Sequence, residues 1–230
     1  MRPLQIFIGF DEAEPVAFHV CAESIIRNSS LPVSITPLYQ KHLAFSDPKG
    51  KEGYPQSNSF IFTRFLVPEL TGFKGLALFC DGDMVVEGDV AELFFNHQYG
   101  KAIHVVKHDY TPRFSKKYLG ATNEAYPRKN WSSVMLFECE HFKNRRLTQH
   151  FVEKQTGEYL HRLKWLDDED IGDLPKEWNH LVGENNQSEN NPKLLHYTTG
   201  TPCWHEWAHL GYSENWDKYH ALANDYAGRK

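Results

Sequence analysis

The triplet Asp81-Gly82-Asp83 brings two carboxylates together at a spacing that suits metal chemistry. Side chains alternate faces with a period of two in extended chain, so Asp81 and Asp83 point the same way and can bind one hard cation. The triplet directly follows the apolar run 76–80. Because open α/β sheets bind ligands at the carboxyl ends of their strands, this position favours a divalent metal presented to a phosphate. The alternative is a polar turn between two short strands, where aspartate and glycine are common.

His196 is a candidate third ligand of the same cation. It ends the short apolar run 194–195 and precedes the turn-forming residues 198–202. A neutral imidazole can complete the coordination shell of a metal that Asp81 and Asp83 already hold. The chain has 13 histidines, so the residue type alone does not select this one.

Two further sets of charged residues could face a ligand. The acidic run 167–170 lies between the apolar pair 165–166 and Ile171, which places it against packed structure, although such runs also form solvated turns. Arg64 stands among aromatic and aliphatic residues. Its guanidinium suits a phosphate or sugar hydroxyls, but it could equally pair with a neighbouring acid.

The elements that must position these residues alternate between strand and helix. An apolar strand, a helix with apolar residues at helical spacing and a second strand form a β-α-β unit, which brings the loop at 9–11 to the ligand edge of a parallel sheet. Residues 41–58 form a surface loop, and 57–59 cap a helix that ends near Leu70. The predicted strands are 4–9, 33–36, 76–80, 102–106, 134–137 and 194–197, and the other predicted helices are 15–27, 143–155 and a short one over 89–94 that opens with capping-box spacing.

Composition and charge exclude several classes of protein. The chain has 230 residues, 40% hydrophobic and 24% charged, which is typical of a folded globular protein. Its net charge of −5 gives no basic surface for nucleic acid. No apolar run approaches about 20 residues, so we expect no transmembrane segment, and the lack of a basic tail argues against membrane association.

The cysteines and the first residues bear on the expected location. The four cysteines are far apart in the sequence and form no Cys-x-x-Cys pair, which argues against a zinc site and against a disulfide framework. The first apolar stretch is too short for a signal peptide. These observations predict a reducing, cytoplasmic setting.

The order of the motifs resembles glycosyltransferase family 8. The resemblance rests on a first strand ending near Asp11, an Arg-bearing helix, Asp-x-Asp after a strand, an acidic triplet and a late strand ending in His196. It implies a GT-A fold: a single α/β domain over 1–230, with a mixed, mostly parallel sheet flanked by helices and a Rossmann-like nucleotide-binding half. That half covers about 1–107, and the acceptor and sugar half covers about 108–230.

The resemblance also implies an activity. Members of the family transfer a sugar, here of hexose type, from a UDP-sugar to an acceptor hydroxyl with retention of configuration. They use Mn²⁺, and Mg²⁺ is the alternative. The implied partners are therefore a nucleotide-sugar donor and a carbohydrate-type acceptor.

Roles carry over to the matching positions of this chain. Asp81, Asp83 and His196 match the metal ligands, and Asp168 and Glu169 match residues that contact the transferred sugar and are the candidate catalytic residues. The remaining matches are to donor contacts: Asp11 for uridine or ribose, Arg64 and Asp81 for the phosphates, Asn130 and Ser133 beside the sugar, and Gly200 in the turn after the late strand.

The chain departs from the family pattern at several of these positions. Glu169 replaces a glutamine, and Ser133 stands where a glycine is common. Gly200 comes one residue late after His196, and the segment that follows lacks the lysine that meets the diphosphate in the family. These departures indicate a divergent branch of bacterial type.

Two other functions remain open at this point. A haloacid-dehalogenase-like phosphatase also has Asp-x-Asp after an apolar strand, with the residue at Asp81 as the nucleophile. A non-catalytic nucleotide-sugar-binding or sugar-binding relative is the second alternative, because aromatic residues 204–219 could contact sugar rings. Their near-helical spacing favours packing in the core instead.

Overall fold

The computed structural model describes residues 2–45, 60–109, 111–117, 120, 122–184 and 191–225. Its first helix begins at Pro15, as expected for a residue whose fixed φ suits the first helical turn and whose missing N–H has no partner there. The strands are β1 Leu4–Gly9, β2 Val33–Leu38, β3 Leu76–Cys80, β4 Met84–Val86, β5 Ile103–Val105, β6 Val134–Glu138, β7 Ile171–Asp173, β8 His180–Leu181 and β9 Leu194–His196. The α-helices are α1 Pro15–Asn28, α2 Val67–Leu70, α3 Ala91–Phe95, α4 Gln149–Val152, α5 Gly157–His161 and α6 Ser213–Asn224.

The larger sheet has six strands in the order β2-β1-β3-β6-β5-β7. β6 runs antiparallel to β3 and β5, whereas β1 is parallel to β2 and β3, and β5 is parallel to β7. Five strands therefore share one direction, and their carboxyl ends meet at the same edge. The predicted fold class, a mixed and mostly parallel sheet flanked by helices, is confirmed.

A smaller sheet of three strands, in the order β4-β9-β8, lies beside that edge. β4 begins directly after Asp83, and its first residue Met84 is paired with His196 at the end of β9. This register brings the histidine next to the Asp81-Gly82-Asp83 triplet.

Apolar residues fill both faces of the larger sheet. Phe7, Phe79 and Phe137 belong to a cluster on one face, and Ile6 and Leu78 belong to a cluster on the other. A third cluster joins α1 and α6 to the smaller sheet.

The aromatic residues near the carboxyl end of the chain take part in that third cluster. Trp216 and Tyr219 of α6 are 2% and 1% exposed and pack with Val20 of α1 and Val85 of β4. These two aromatic residues are therefore part of the core, as their spacing predicts.

Two helical predictions were wrong in detail. The single helix predicted over 143–155 is replaced by a 3-10 turn, Asn144–Arg146, and by the short helices α4 and α5. The side chains of Thr148 and Thr156 accept hydrogen bonds from Phe151 N and Tyr159 N, so each threonine starts a new helix.

The helix predicted to end near Leu70 consists of a 3-10 turn, Thr63–Leu66, and the short α2. Pro68 lies in the first turn of α2, where its missing N–H leaves no hydrogen bond broken. The predicted cap at 57–59 and most of the predicted loop at 41–58 lie outside the described residues.

Candidate metal and donor site

Asp81, Asp83 and His196 come together where the two sheets meet. One ligand atom from each lies within 4.8 Å of the others. His196 Nε2 is 3.4 Å from Asp83 Oδ1 and 3.9 Å from Asp81 Oδ2. Asp81 is 8% exposed and His196 is 2% exposed, so the cluster is largely shielded from bulk water. The structure thus assembles the three residues that the sequence predicts as metal ligands.

The ring of His196 is oriented by a hydrogen bond on the far side from the carboxylates. Its Nδ1 lies 3.0 Å from Asn179 Oδ1, an atom that can only accept. Nδ1 must therefore carry the proton, and in the neutral ring the lone pair of Nε2 faces Asp81 and Asp83. Metal-binding histidines are commonly fixed in this way.

The carboxylates fit a bound cation. Asp83 Oδ1 is buried and makes no hydrogen bond to any described residue. Burial raises the pKa of Asp81 to about 6; Arg64 acts against this rise, and the nearby charge of Asp83 adds to it. Two buried acids side by side are costly unless a positive charge joins them. Two hard oxygen donors and one imidazole nitrogen suit a divalent ion such as Mn²⁺.

Arg64 supplies one positive charge next to the cluster. Its Nη1 is 2.8 Å from Asp81 Oδ1 and donates to Ser132 O at 2.9 Å. The guanidinium also lies 5.2 Å from the ring of Phe60 and 5.1 Å from the ring of Phe79, and the residue is 3% exposed. From the sequence, Arg64 could contact a phosphate, sugar hydroxyls or a neighbouring acid. Among the contacts of the described residues, its partner is the acid Asp81.

A small recess opens beside Asp83, between the end of β1 and the start of α1. Gly9, Asp11, Glu14 and Gly82 are among the residues that line it. Asp11 accepts a hydrogen bond from Ala13 N at 2.9 Å. The position predicted for a uridine or ribose contact therefore lies next to the metal cluster.

Glu14 was missed by the sequence analysis. It is 5% exposed, and its Oε1 accepts hydrogen bonds from Thr201 Oγ1 and, at 2.9 Å, from Trp204 Nε1. Burial raises its pKa. Glu14 thus joins the start of α1 to the loop after β9.

The other residues predicted to contact the donor make hydrogen bonds or packing contacts within the chain. Ser133 Oγ donates to Asn130 O at 2.7 Å and accepts from Asn179 Nδ2 at 2.8 Å. Asn130 has a φ of 61°, a conformation that asparagine tolerates better than most residues. At Gly200, a Cβ would lie 2.2 Å from Trp207 Cδ1, so packing against that ring explains the glycine.

Asp168 and Glu169 lie at the opposite edge of the larger sheet. They belong to a 3-10 turn that leads directly into β7, whose direction is that of β3. The turn therefore lies at the amino edge, whereas Asp81 follows β3 at the carboxyl edge. β7 is three strand positions from β3, which adds a lateral separation of about 14 Å at about 4.8 Å per strand.

The contacts of the acidic turn point to both edges of the sheet. Lys101, which precedes β5, donates to Glu169 O at 2.7 Å. Asp168 forms an ion pair with Arg128, which lies two residues before Asn130 in the segment that enters β6 at the carboxyl edge. The acid at the carboxyl end of β7 is Asp173, which lies 3.1 Å from Lys107 Nζ. Among the described contacts, none joins Asp168 or Glu169 directly to Asp81, Asp83 or His196.

Lys117 is a second residue that the sequence analysis missed. It lies in the long connection between β5 and β6, and its Nζ donates to Thr198 Oγ1 at 3.1 Å. Nothing in the sequence distinguishes it from the adjacent Lys116.

Comparison with known proteins gives a consistent family. A profile of glycosyl transferase family 8 matches residues 17–208, a range that includes Arg64, both aspartates and His196. Protein CDI of Arabidopsis thaliana is 42% identical over 222 residues, which cover 94% of this chain and 85% of that protein.

Solved glycosyltransferase structures have a similar fold. The galactosyltransferase LgtC, in complex with donor and acceptor sugar analogues, has a TM-score of 0.66 at 11% identity and 98% coverage of both chains. The bifunctional glycosyltransferase WbbM has a TM-score of 0.67 at 16% identity; the match covers 95% of this chain but half of WbbM. GlyE of Streptococcus pneumoniae TIGR4 has a TM-score of 0.56 at 15% identity, with 98% of this chain and 65% of GlyE covered.

None of the described helices has the length and apolar character needed to cross a membrane.

Proposed function

The chain belongs to glycosyl transferase family 8, and from that premise we propose that it transfers a hexose-type sugar from a UDP-sugar to an acceptor hydroxyl, with divalent metal and with retention of configuration. The observation that supports this most directly is the buried cluster of Asp81, Asp83 and His196 beside the recess that Asp11 lines. A cation site next to Asp11, the residue predicted to contact uridine or ribose, suits a nucleoside diphosphate.

Asp81, Asp83 and His196 Nε2 would hold the cation, for which Mn²⁺ is the first candidate and Mg²⁺ the second. When bound, such an ion neutralises charge on the diphosphate that leaves as the glycosidic bond breaks. Asn179 keeps His196 Nε2 directed at the carboxylates, and Arg64 holds the carboxylate of Asp81 in place. These contacts exist within the chain itself and do not need the donor to form.

The wall of the recess would contact the nucleoside, since the recess itself is too small to enclose one. Gly82 is suited to its wall, because a Cβ at this position would lie 2.5 Å from Gly9 O and would separate the ends of β1 and β3. Asp11, next along the chain from β1, offers a carboxylate for ribose hydroxyls. Glu14 fixes the loop after β9 against the same wall.

The role predicted for Asp168 and Glu169 at the transferred sugar stays a prediction. Asp168 is joined by its ion pair with Arg128 to the segment that carries Asn130, whereas Glu169 lies toward the amino edge of the larger sheet. The cytoplasmic setting and the two-half organisation of the chain likewise stay predictions.

The proposal is tested with a panel of UDP-sugars in the presence of MnCl₂, scored by thermal stabilisation of the protein and by release of UDP. We expect one donor to stabilise the protein more than the others and to be slowly hydrolysed. The variant Asp83→Ala should lose metal-dependent UDP release. Full activity of that variant, or no response to any donor, would refute the proposal.

The same assay separates the two alternatives. Donor binding without turnover at any metal would favour a non-catalytic relative. Covalent phosphate on Asp81 would favour the phosphatase, although membership of the glycosyltransferase family argues against that reading.

A further inference from the structure

Lys117 places an ammonium group at the metal cluster from outside the motifs that define it. Its Nζ donates to Thr198 Oγ1, and Thr198 follows His196 by two residues. Burial lowers the pKa of Lys117, while the charges of Asp83 and Asp81 raise it. The ammonium is therefore close enough to interact electrostatically with both carboxylates. Lys117 itself lies in a different part of the chain from the strands next to the metal ligands.

The segment that presents Lys117 is anchored on both sides. Glu184, which is 5% exposed, accepts hydrogen bonds from Arg113 N at 2.7 Å and from Asn123 Nδ2 at 3.4 Å. Asn123 Nδ2 also donates to Phe114 O at 2.9 Å. The ring of Phe114 packs edge-on against Trp207 at 5.8 Å. Glu184, which follows β8, thus holds the two flanks of the segment, and the contact between Phe114 and Trp207 joins the segment to the loop that follows β9.

A count of formal charges indicates what the ammonium is for. A divalent ion with Asp81, Asp83 and Arg64 leaves one net positive charge at the site. The diphosphate of a nucleotide-sugar carries two negative charges, so the assembly would be left with one uncompensated negative charge in a largely buried place. One ammonium offsets that charge. Glu14 and Glu184 are further buried carboxylates near the site, which increases the need for a cation next to the diphosphate. Lys117 is suitably placed to provide it.

We infer that Lys117 binds the diphosphate of the nucleotide donor together with the metal. The inference rests on the proposed function and extends it to a residue of the connection between β5 and β6. Thr198 is then a positioning residue, since its hydroxyl holds the Lys117 ammonium at the edge of the cluster.

A purely structural role makes a different prediction. If Lys117 only offset the charges of Asp81 and Asp83, its removal would affect stability but not discriminate between ligands. If it binds the diphosphate, its removal weakens a ligand that carries a β-phosphate more than a ligand that lacks one. Metal binding alone should then be unchanged or tighter, because a like charge next to the cation has been removed.

The experiment compares Lys117→Met with Lys116→Met as the matched control. Lys116 is the exposed neighbour and takes part in a backbone bridge with Thr122. Affinities for MnCl₂ alone, for UDP with Mn²⁺ and for UMP with Mn²⁺ are measured by titration calorimetry on the full chain. Melting temperatures verify that both variants fold.

We expect Lys117→Met to weaken UDP binding by about 10- to 100-fold, the effect of removing one hydrogen bond between charged groups. UMP binding should change by less than about 3-fold, and Mn²⁺ binding should not weaken. Lys117→Arg should recover part of the UDP affinity, and Lys116→Met should behave like the parent protein.

Two results would overturn the inference alone: UDP affinity equal in Lys117→Met and the parent, or equal losses for UDP and UMP. A parent protein that binds Mn²⁺ but neither nucleotide would instead overturn the proposed function, and the inference with it.

Discussion

The hydrogen bond between Asn179 and His196 makes a prediction that separates the metal site from the fold. Asn179 lies in the 3-10 turn Lys176–Asn179 that leads into β8, and it is 1% exposed. Its Oδ1 accepts from His196 Nδ1 at 3.0 Å, and its Nδ2 donates to Ser133 Oγ at 2.8 Å and to Asn130 O at 3.3 Å. Asn179→Ala removes all three bonds and leaves the imidazole free to rotate.

The expected magnitudes follow from these contacts. A buried hydrogen bond contributes about 1 kcal/mol net, so the three bonds predict a loss of about 2–4 kcal/mol in the free energy of unfolding. Outer partners of metal ligands typically contribute 10- to 100-fold to metal affinity. We therefore expect Asn179→Ala to bind Mn²⁺ about 10- to 100-fold more weakly, which corresponds to about 1.4–2.7 kcal/mol.

Asn144 provides a matched control. It is fully buried, its Nδ2 donates to Ala102 O at 2.6 Å and to Glu138 O at 2.9 Å, and its Oδ1 accepts from Trp165 Nε1 at 3.3 Å. It thus makes the same number of bonds as Asn179, but at the amino edge of the sheet. Asn144→Ala should lose similar stability and keep the parent affinity for Mn²⁺.

Urea unfolding and Mn²⁺ titration of the two variants test this reasoning. A parent-like Mn²⁺ affinity in Asn179→Ala would show that the hydrogen bond does not orient a metal ligand. Equal losses of Mn²⁺ affinity in both variants would show that metal binding follows overall stability, and the argument from geometry would fail.

Two more predictions concern stability. In Gly82→Ala the new Cβ would lie 2.5 Å from Gly9 O, so we expect a loss of about 1–3 kcal/mol in urea unfolding. Gly157→Ala, where the nearest atom is 3.9 Å away, should be neutral or gain up to about 1 kcal/mol, and equal effects of the two changes would contradict the argument. Burial lowers the pKa of His161 to about 3, below its unfolded value near 6.5, so below pH 6.5 the unfolded state takes up a proton that the folded state does not. Because of this residue, the free energy of unfolding of the parent should fall by up to about 2 kcal/mol between pH 7 and pH 5. The fall in His161→Gln should be smaller by that amount, and parallel pH curves for the two proteins would refute the assignment.

The sequence predicts the parts of this fold that depend on local pattern. The apolar runs that become β1, β3 and β6 are long and buried, and Pro15 marks the start of α1. The two aspartates are recognisable because they follow such a strand directly. For these features, the signal lies within a few residues of the position concerned.

Features that depend on distant parts of the chain were not accessible in this way. The edge at which Asp168 lies is set by the direction of β7, which has three residues and depends on pairing with β5. Lys117 lies in a connection that Glu184, distant in the sequence, anchors through hydrogen bonds. Sequence pattern alone contains neither relation.

The register between Met84 and His196 also has a kinetic consequence. His196 lies more than 100 residues after Asp83, so closing the cation site requires one of the longer-range pairings in the chain. Contacts of this separation cost loop-closure entropy and tend to form late in folding. We therefore expect a bound ion to slow unfolding much more than it speeds refolding, because the site that holds it is assembled only after the folding barrier has been crossed.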